Sequence, residues 1–160
     1  MTSEKIVRLD ELARHAKELR AAGKKIVATN GCFDLLHVGH VRYLNAARAL
    51  GDALIVGING DQSVRELKGG GRPVNPENDR AEILAALECV DLVTIFPAVR
   101  ATHFLELAAP DVYVKGGDYT SNSLNAEERA VLERVGAKID IVPFEPGYST
   151  SDLLARLSKN

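Results

Sequence analysis

The chain has 160 residues, 46% of them apolar and 26% charged, and carries a formal net charge of -2. These values lie near the soluble globular average, which excludes a disordered or collagen-like chain, and the length suits one compact core. The near-neutral balance lacks the basic excess that marks a nucleic-acid partner, although a small anionic ligand needs only a locally basic site.

The N-terminus begins Met-Thr-Ser-Glu-Lys and runs into a charged helical stretch with no apolar leader-type run, and no segment approaches the length of a membrane span. A cytoplasmic protein without membrane attachment is expected. An amphipathic helix is predicted over about 9–22, closed by Gly23, before the β-branched run Lys25-Ile26-Val27-Ala28-Thr29 that predicts the first strand. The polar stretch Asn30-Gly31-Cys32-Phe33-Asp34 comes next. Val38, Val41, Leu44 and Ala47 then mark a helical stripe, and Gly51 reads as its left-handed terminator. Ala53-Leu54-Ile55-Val56-Gly57-Ile58 predicts the second strand, and Asn59-Gly60-Asp61 its polar exit. The Gly69-Gly70-Gly71 run reads as a mobile loop closing over ligand.

Asn75-Pro76 predicts a cap followed by a proline at the first helical position, with Ile83, Leu84 and Leu87 as the buried stripe. Leu92–Phe96 predicts the third strand, whose exit Phe96-Pro97-Ala98 offers almost no polar chemistry. Val112-Tyr113-Val114 predicts the fourth, followed by Lys115-Gly116-Gly117-Asp118-Tyr119. Asn125 and Glu128 read as a capping box, Gly136 as a terminator, and Lys138–Val142 as the fifth strand. Ser149, Thr150 and Ser151 open a last helix, where Ser149 also suits a plain N-cap. Strand and helix thus alternate five times. That pattern predicts a single α/β, Rossmann-like domain over residues 1–160, with a five-stranded parallel sheet and helices on both faces. Its core is expected over about 24–158. Cys32 and Cys89 lack C-x-x-C spacing and read as small packed residues.

In such sheets ligands bind beyond the carboxyl ends of the strands, and four of the five predicted exits are polar or glycine-rich. The first exit carries His37-Val38-Gly39-His40. Spacing of three sets both imidazoles on one side of a helix-opening turn, whose unpaired N–H groups and dipole attract phosphate; Gly39 removes a side chain where phosphate would meet a Cβ. A zinc pair would need further ligands, and His15 and His103 lie in helical stretches without such a pattern. No metal site is expected.

Asn30-Gly31-Cys32-Phe33-Asp34 with His37-Val38-Gly39-His40 resembles the G-x-F-D-x-x-H-x-G-H signature of the cytidylyltransferase-like nucleotidyltransferases. The chain is most similar within them to the adenylyltransferase domain of ADP-heptose synthesis, through Leu67-Lys68-Gly69, Arg72-Pro73-Val74-Asn75-Pro76, Arg80 and Val114–Tyr119. The glycerol-phosphate cytidylyltransferases carry R-T-E-G-I-S-T-T after the last strand, where this chain has Phe144-Glu145-Pro146-Gly147-Tyr148-Ser149-Thr150-Ser151. The missing arginine argues against cytidylyl transfer.

The resemblance implies transfer of AMP from ATP to D-glycero-D-manno-heptose 1-phosphate, with Mg²⁺ arriving on the triphosphate. It implies His37, His40 and Lys68 as the catalytic set. Nucleotide and phosphate binding falls to Asn30, Gly31, Cys32, Phe33, Gly39, Arg80, Ser149, Thr150 and Ser151. Asp34, Asn59, Asp61, Arg72, Lys115, Gly117 and Asp118 are candidate substrate contacts, with Asp34 better suited to aligning the histidine loop and, as the alternative, to holding Mg²⁺ through water. A separate kinase is expected to supply the heptose phosphate, and a homodimer is compatible with the sequence. Cytidylyl transfer, flavin-nucleotide synthesis and a non-catalytic nucleotide-binding module stand as alternatives. A dinucleotide-binding oxidoreductase is disfavoured, since no G-x-G-x-x-G follows the first strand.

Overall fold

A computed structural model of the chain describes residues 3–117, 124–143 and 149–159. Five parallel strands form one sheet: β1 (Ile26–Gly31), β2 (Ala53–Asn59), β3 (Leu92–Phe96), β4 (Val112–Gly116) and β5 (Lys138–Val142). Their order is β3-β2-β1-β4-β5. The chain therefore winds outward from β1 to β3, then returns to the other side of β1. The reversal falls between β1 and β4, the place where an open α/β sheet splays to admit a ligand.

The helices are α1 (Leu12–Ala21), α2 (Val38–Arg48), α3 (Asp61–Lys68), α4 (Glu77–Ala85), α5 (Thr102–Ala108), α6 (Ala126–Val135) and α7 (Thr150–Ser158). Alternation along the buried strands divides the core in two. Ile26, Ala28, Ile55 and Tyr113 pack with Leu12 and Ala16 of α1, Phe104 and Leu105 of α5, and Val131 and Leu132 of α6. Val27, Leu54, Val56 and Val114 face the other way, onto Tyr43 and Leu44 of α2 and Leu84 of α4. Apolar burial on both faces is what the near-continuous β-branched runs require. At the amino rim, Asp52, Asp91 and Asp111 accept the leading N–H groups of Lys25, Leu54 and Ile26 at 2.8, 2.7 and 2.8 Å. The outer edge of β3 is covered by a bridge to Ile6.

Several local expectations are refined. Gly23 and Gly136 adopt φ +77 as left-handed terminators, but Gly51 does not. A Cβ at Gly51 would lie 2.7 Å from Val27 Cγ2 and 2.8 Å from the Lys25 carbonyl, so glycine is needed there for close approach to β1. Pro76 is itself the cap of α4, so the helix starts one residue later than expected. The helix α3 was hidden by its short length and charge, and it makes Lys68 a helix-terminal residue. Asn125 caps α6 through the N–H groups of Glu127 and Glu128, yet the reciprocal half of the expected box, from the Glu128 carboxylate, is not made.

Candidate active site

β1 runs to Gly31, two residues beyond its predicted end, and delivers Asn30 and Gly31 to the carboxyl rim. A turn follows in which Phe33 holds φ 47, a left-handed conformation unfavourable for a residue with a Cβ. Three sets of contacts hold it. The Phe33 ring sits where a Cβ on Gly31 would approach Cε2 to 3.0 Å, so glycine makes room for it. Arg80 Nη1 donates to the Cys32 carbonyl at 2.7 Å. Asp34, its side chain 1% exposed, accepts from Arg72 Nε at 2.7 Å, Val74 N at 2.8 Å and Asn75 N at 2.9 Å. Burial alone would push the Asp34 carboxyl up, but the Asn75 and Val74 N–H groups and the Arg72 guanidinium together hold it below the usual carboxylate range.

The turn leads into α2, whose cap is built from the two histidines. His37 Nδ1 accepts from Gly39 N at 3.1 Å, and His40 Nδ1 accepts from His37 N at 3.2 Å. This is a reciprocal capping box with imidazoles in place of serine and glutamate. The rings lie 4.0 Å apart between centroids. Because each Nδ1 is an acceptor, each neutral ring carries its proton on Nε2. Burial, then the neighbouring His37, lowers the His40 pKa to about 4, so this ring is neutral at pH 7. Burial lowers His37 as well, partly opposed by Asp152 at the start of α7. Of the donors in this turn, the Gly39 N–H is taken by His37, which leaves Gly39 the role expected of it, the absence of a side chain.

An open cleft of about 510 Å³ lies above the β1–β4 reversal, within the size range of small-molecule sites. Asn30, Gly31, Cys32, Phe33, His37 and His40 line it from β1 and α2, and Lys68 and Arg72 from the segment after β2. Ser149 and Ser151 reach it from the start of α7, where Ser149 Oγ also caps the helix by accepting from Asp152 N at 2.9 Å. Burial raises the Cys32 thiol pKa against the lowering pull of Lys68, Arg80 and Arg72, which leaves it a protonated wall residue and not a nucleophile.

Other candidates fall elsewhere. Arg80, expected as a phosphate clamp, has a side chain 0% exposed. Its guanidinium donates to the carbonyls of Asn75, Cys32 and Asn59 at 3.0, 2.7 and 2.8 Å and to Asp61 Oδ1 at 2.9 Å, which uses four of its five donors beneath the cleft. Asp61 is thereby tied to Arg80 and is not on the cleft wall. Asp34 reaches the wall, but its carboxylate is spent on the 72–75 segment. Asn59 lines the cleft while its amide reaches toward the Ala98 and Val99 carbonyls at 3.4 Å. At the end of β4, Lys115 and Gly116 line the wall; Gly117 instead donates its N–H to the Val142 carbonyl at 3.2 Å. Asp118, Tyr119, residues 144–148 and the Thr150 side chain lie outside the described residues.

Sequence reasoning missed three contributors. The exit of β3, expected to be empty, supplies Val99 and Arg100. Glu128 enters from the first turn of α6 and Tyr43 from the second turn of α2. Tyr43 shares a buried cluster with Thr29 (2.6 Å) and the Val114 carbonyl (3.1 Å), tying α2 to β1 and β4, and burial pushes its pKa up to about 12. No helix among the described residues is long and apolar enough to cross a membrane.

The cytidylyltransferase-like family model matches residues 28–156. The bifunctional protein HldE of Geotalea uraniireducens is 49% identical over 153 residues, covering 96% of this chain and 31% of that protein. That of Citrifermentans bemidjiense is 47% identical over 156 residues, covering 98% and 32%. The chain thus spans about a third of the length of these curated relatives. Among solved structures, a lipopolysaccharide core biosynthesis protein from Thermoplasma volcanium aligns with TM-score 0.63 at 28% identity, over 77% of this chain and 98% of the other. A pantoate-beta-alanine ligase from Francisella tularensis shares the fold with TM-score 0.60 at 17% identity, over 93% and 69%. With its histidine-capped helix at the strand reversal, the chain belongs to the cytidylyltransferase-like family and is a nucleotidyltransferase.

Proposed function

We propose that the chain transfers the adenylyl group of ATP to D-glycero-D-manno-heptose 1-phosphate, giving ADP-heptose and pyrophosphate. The observation that carries the chemistry is the imidazole capping box, which sets a neutral His40 with its proton on Nε2 in the wall of the cleft. The acceptor phosphate is already an anion, so its oxygen attacks the α-phosphorus without a general base, and the α–β bridging oxygen leaves with pyrophosphate. What remains for the protein is alignment and neutralisation of charge on the phosphates. His40 donates to the α-phosphate and the leaving oxygen, His37 to the neighbouring phosphate, and Lys68 neutralises the chain from the end of α3. Asn30, Gly31, Cys32, Phe33, Ser149 and Ser151 form the rest of that wall.

Magnesium arrives on the triphosphate and spreads its negative charge when bound. The cleft fits that mode. Asp34 is held by Arg72 and backbone N–H groups, and Asp61 by Arg80, so a magnesium ion would be held by the nucleotide's own oxygens and by water rather than by these carboxylates. The heptose assignment is supported by the similarity to the ADP-heptose adenylyltransferase domain and by the HldE relatives. A sugar kinase reaction must make the acceptor, and the cytoplasm, where ATP is plentiful, is the compartment we assign.

The test is pyrophosphate release with heptose 1-phosphate and each nucleoside triphosphate in turn. ATP should be preferred, and His40→Ala should lower turnover by about a hundredfold or more, far beyond the loss of about 1 kcal/mol in stability that follows from opening the capping box. A preference for CTP, activity on FMN instead, or near-normal turnover of the variant would refute the respective part.

A further inference from the structure

The cleft straddles the sheet. Its phosphate wall, with the histidine pair, opens α2 on one face, whereas Glu128 opens α6 on the other. Glu128 is the third residue of α6 and only 7% exposed, yet it lines the cleft. Its carboxylate neither completes the capping box nor accepts a hydrogen bond or ion pair among the described residues. Among the described residues Thr94 Oγ1 is the buried side-chain polar atom that lacks a partner, so the Glu128 oxygens open onto the cleft and stand available to donors from a ligand. Arg100, from the exit of β3, and Lys115, from the end of β4, are close enough to pull its pKa down against the burial that raises it. Both also line the cleft.

This mixture does not suit phosphate, whose oxygens only accept and would be repelled by Glu128. It suits adjacent hydroxyl groups, each of which donates through O–H and accepts through oxygen. Resting on the function proposed above, we propose that Glu128, Arg100 and Lys115 form the subsite for the hydroxyl-bearing end of the acceptor, with Glu128 accepting from neighbouring hydroxyls and the two cations donating to their oxygens. The two substrates then approach the transferred phosphorus from opposite faces of the sheet, the nucleotide's phosphates over α2 and the sugar over α6. Sugar selectivity belongs to the α6 side. The ribose of the nucleotide carries the same chemistry and is the competing occupant.

Calorimetry on the whole chain separates them, using heptose 1-phosphate, mannose 1-phosphate, inorganic phosphate and α,β-methylene-ATP as probes. Glu128→Gln keeps size and shape, and Arg100→Ala alters an exposed residue, so one of the two remains informative if the other melts early. Each variant should weaken both sugar phosphates by about tenfold or more while leaving inorganic phosphate and the ATP analogue within about twofold of wild type. Unchanged sugar-phosphate affinity, a loss confined to the ATP analogue, or no sugar-phosphate binding by the wild type would overturn the subsite. If the wild type binds sugar phosphates in a Glu128-dependent way but releases no pyrophosphate with any of them, the proposed reaction fails while the subsite stands.

Discussion

Replacing Arg80 by alanine distinguishes a residue that grips ligand from one that builds the floor beneath it. In the fold its guanidinium joins three carbonyls, from the β1 exit, the β2 exit and the start of α4, and pairs with Asp61. The Asn59 carbonyl bond is fully buried, and the others are partly so. Alanine leaves those acceptors without donors and opens a void where the largest fully buried side chain stood. An unsatisfied buried acceptor costs roughly 1–3 kcal/mol, and breaking a buried ion pair about 3–5 kcal/mol. Asp61 is 30% exposed and water will reach part of the gap, so these terms do not add in full; a loss of about 4 kcal/mol is expected. For a chain of this size that lowers Tm on the order of 10 °C. Thermal and urea unfolding of Arg80→Ala and Arg80→Lys provide the assay, with lysine recovering only part of the loss because it lacks the planar fork. A variant that melts with the wild type and loses only triphosphate affinity would refute this reasoning and restore the clamp.

His40 should titrate near pH 4 by NMR in the ligand-free protein, because burial and the adjacent His37 disfavour its charge. That value lies below the ordinary 6.5, so the unfolded chain takes up the proton first: the contribution to stability is intact above 6.5 and is lost as pH falls through about 4. A phosphate against Nε2 should raise the midpoint, so ATP should bind more tightly at pH 5 than at pH 7; a ligand-free midpoint at 6.5 would show the ring to be solvated. Lys68→Ala should raise KM for ATP about tenfold with little change in Tm, since the residue is exposed at the end of α3, and unchanged affinity would mark it as a surface lysine. Asp34→Asn should cost about 1–3 kcal/mol in urea unfolding, through the lost pairing with Arg72. An unaltered stability there, with weakened metal-nucleotide binding, would move Asp34 from loop anchor to ion ligand.

The elements that were legible are those fixed by local chemistry. β-branched runs announce all five strands, the inner ones buried on both faces and β5 as a partly exposed edge, and the spacing of His37 and His40 announces the helix opening they cap. Similarity of that segment to one enzyme family carried the reaction class. The sequence placed both Lys68 and Arg80 at the ligand, one in the catalytic set and the other among the phosphate-binding residues. The fold separates them: one ends exposed at the cleft, the other is sealed beneath it.

What the chain order alone determined was the presence of strands, helices and a phosphate-seeking turn, because those depend on residues a few positions apart. Tertiary structure alone decided which charges were already spent. Arg80 meets acceptors from three separate segments, Asp34 is claimed by residues about forty positions away, and Glu128 faces Arg100 and Lys115 only because α6 returns to the sheet beside β4. A charged side chain is available to a ligand only when its own protein has not satisfied it, and that balance is set by distances in space that sequence separation does not encode.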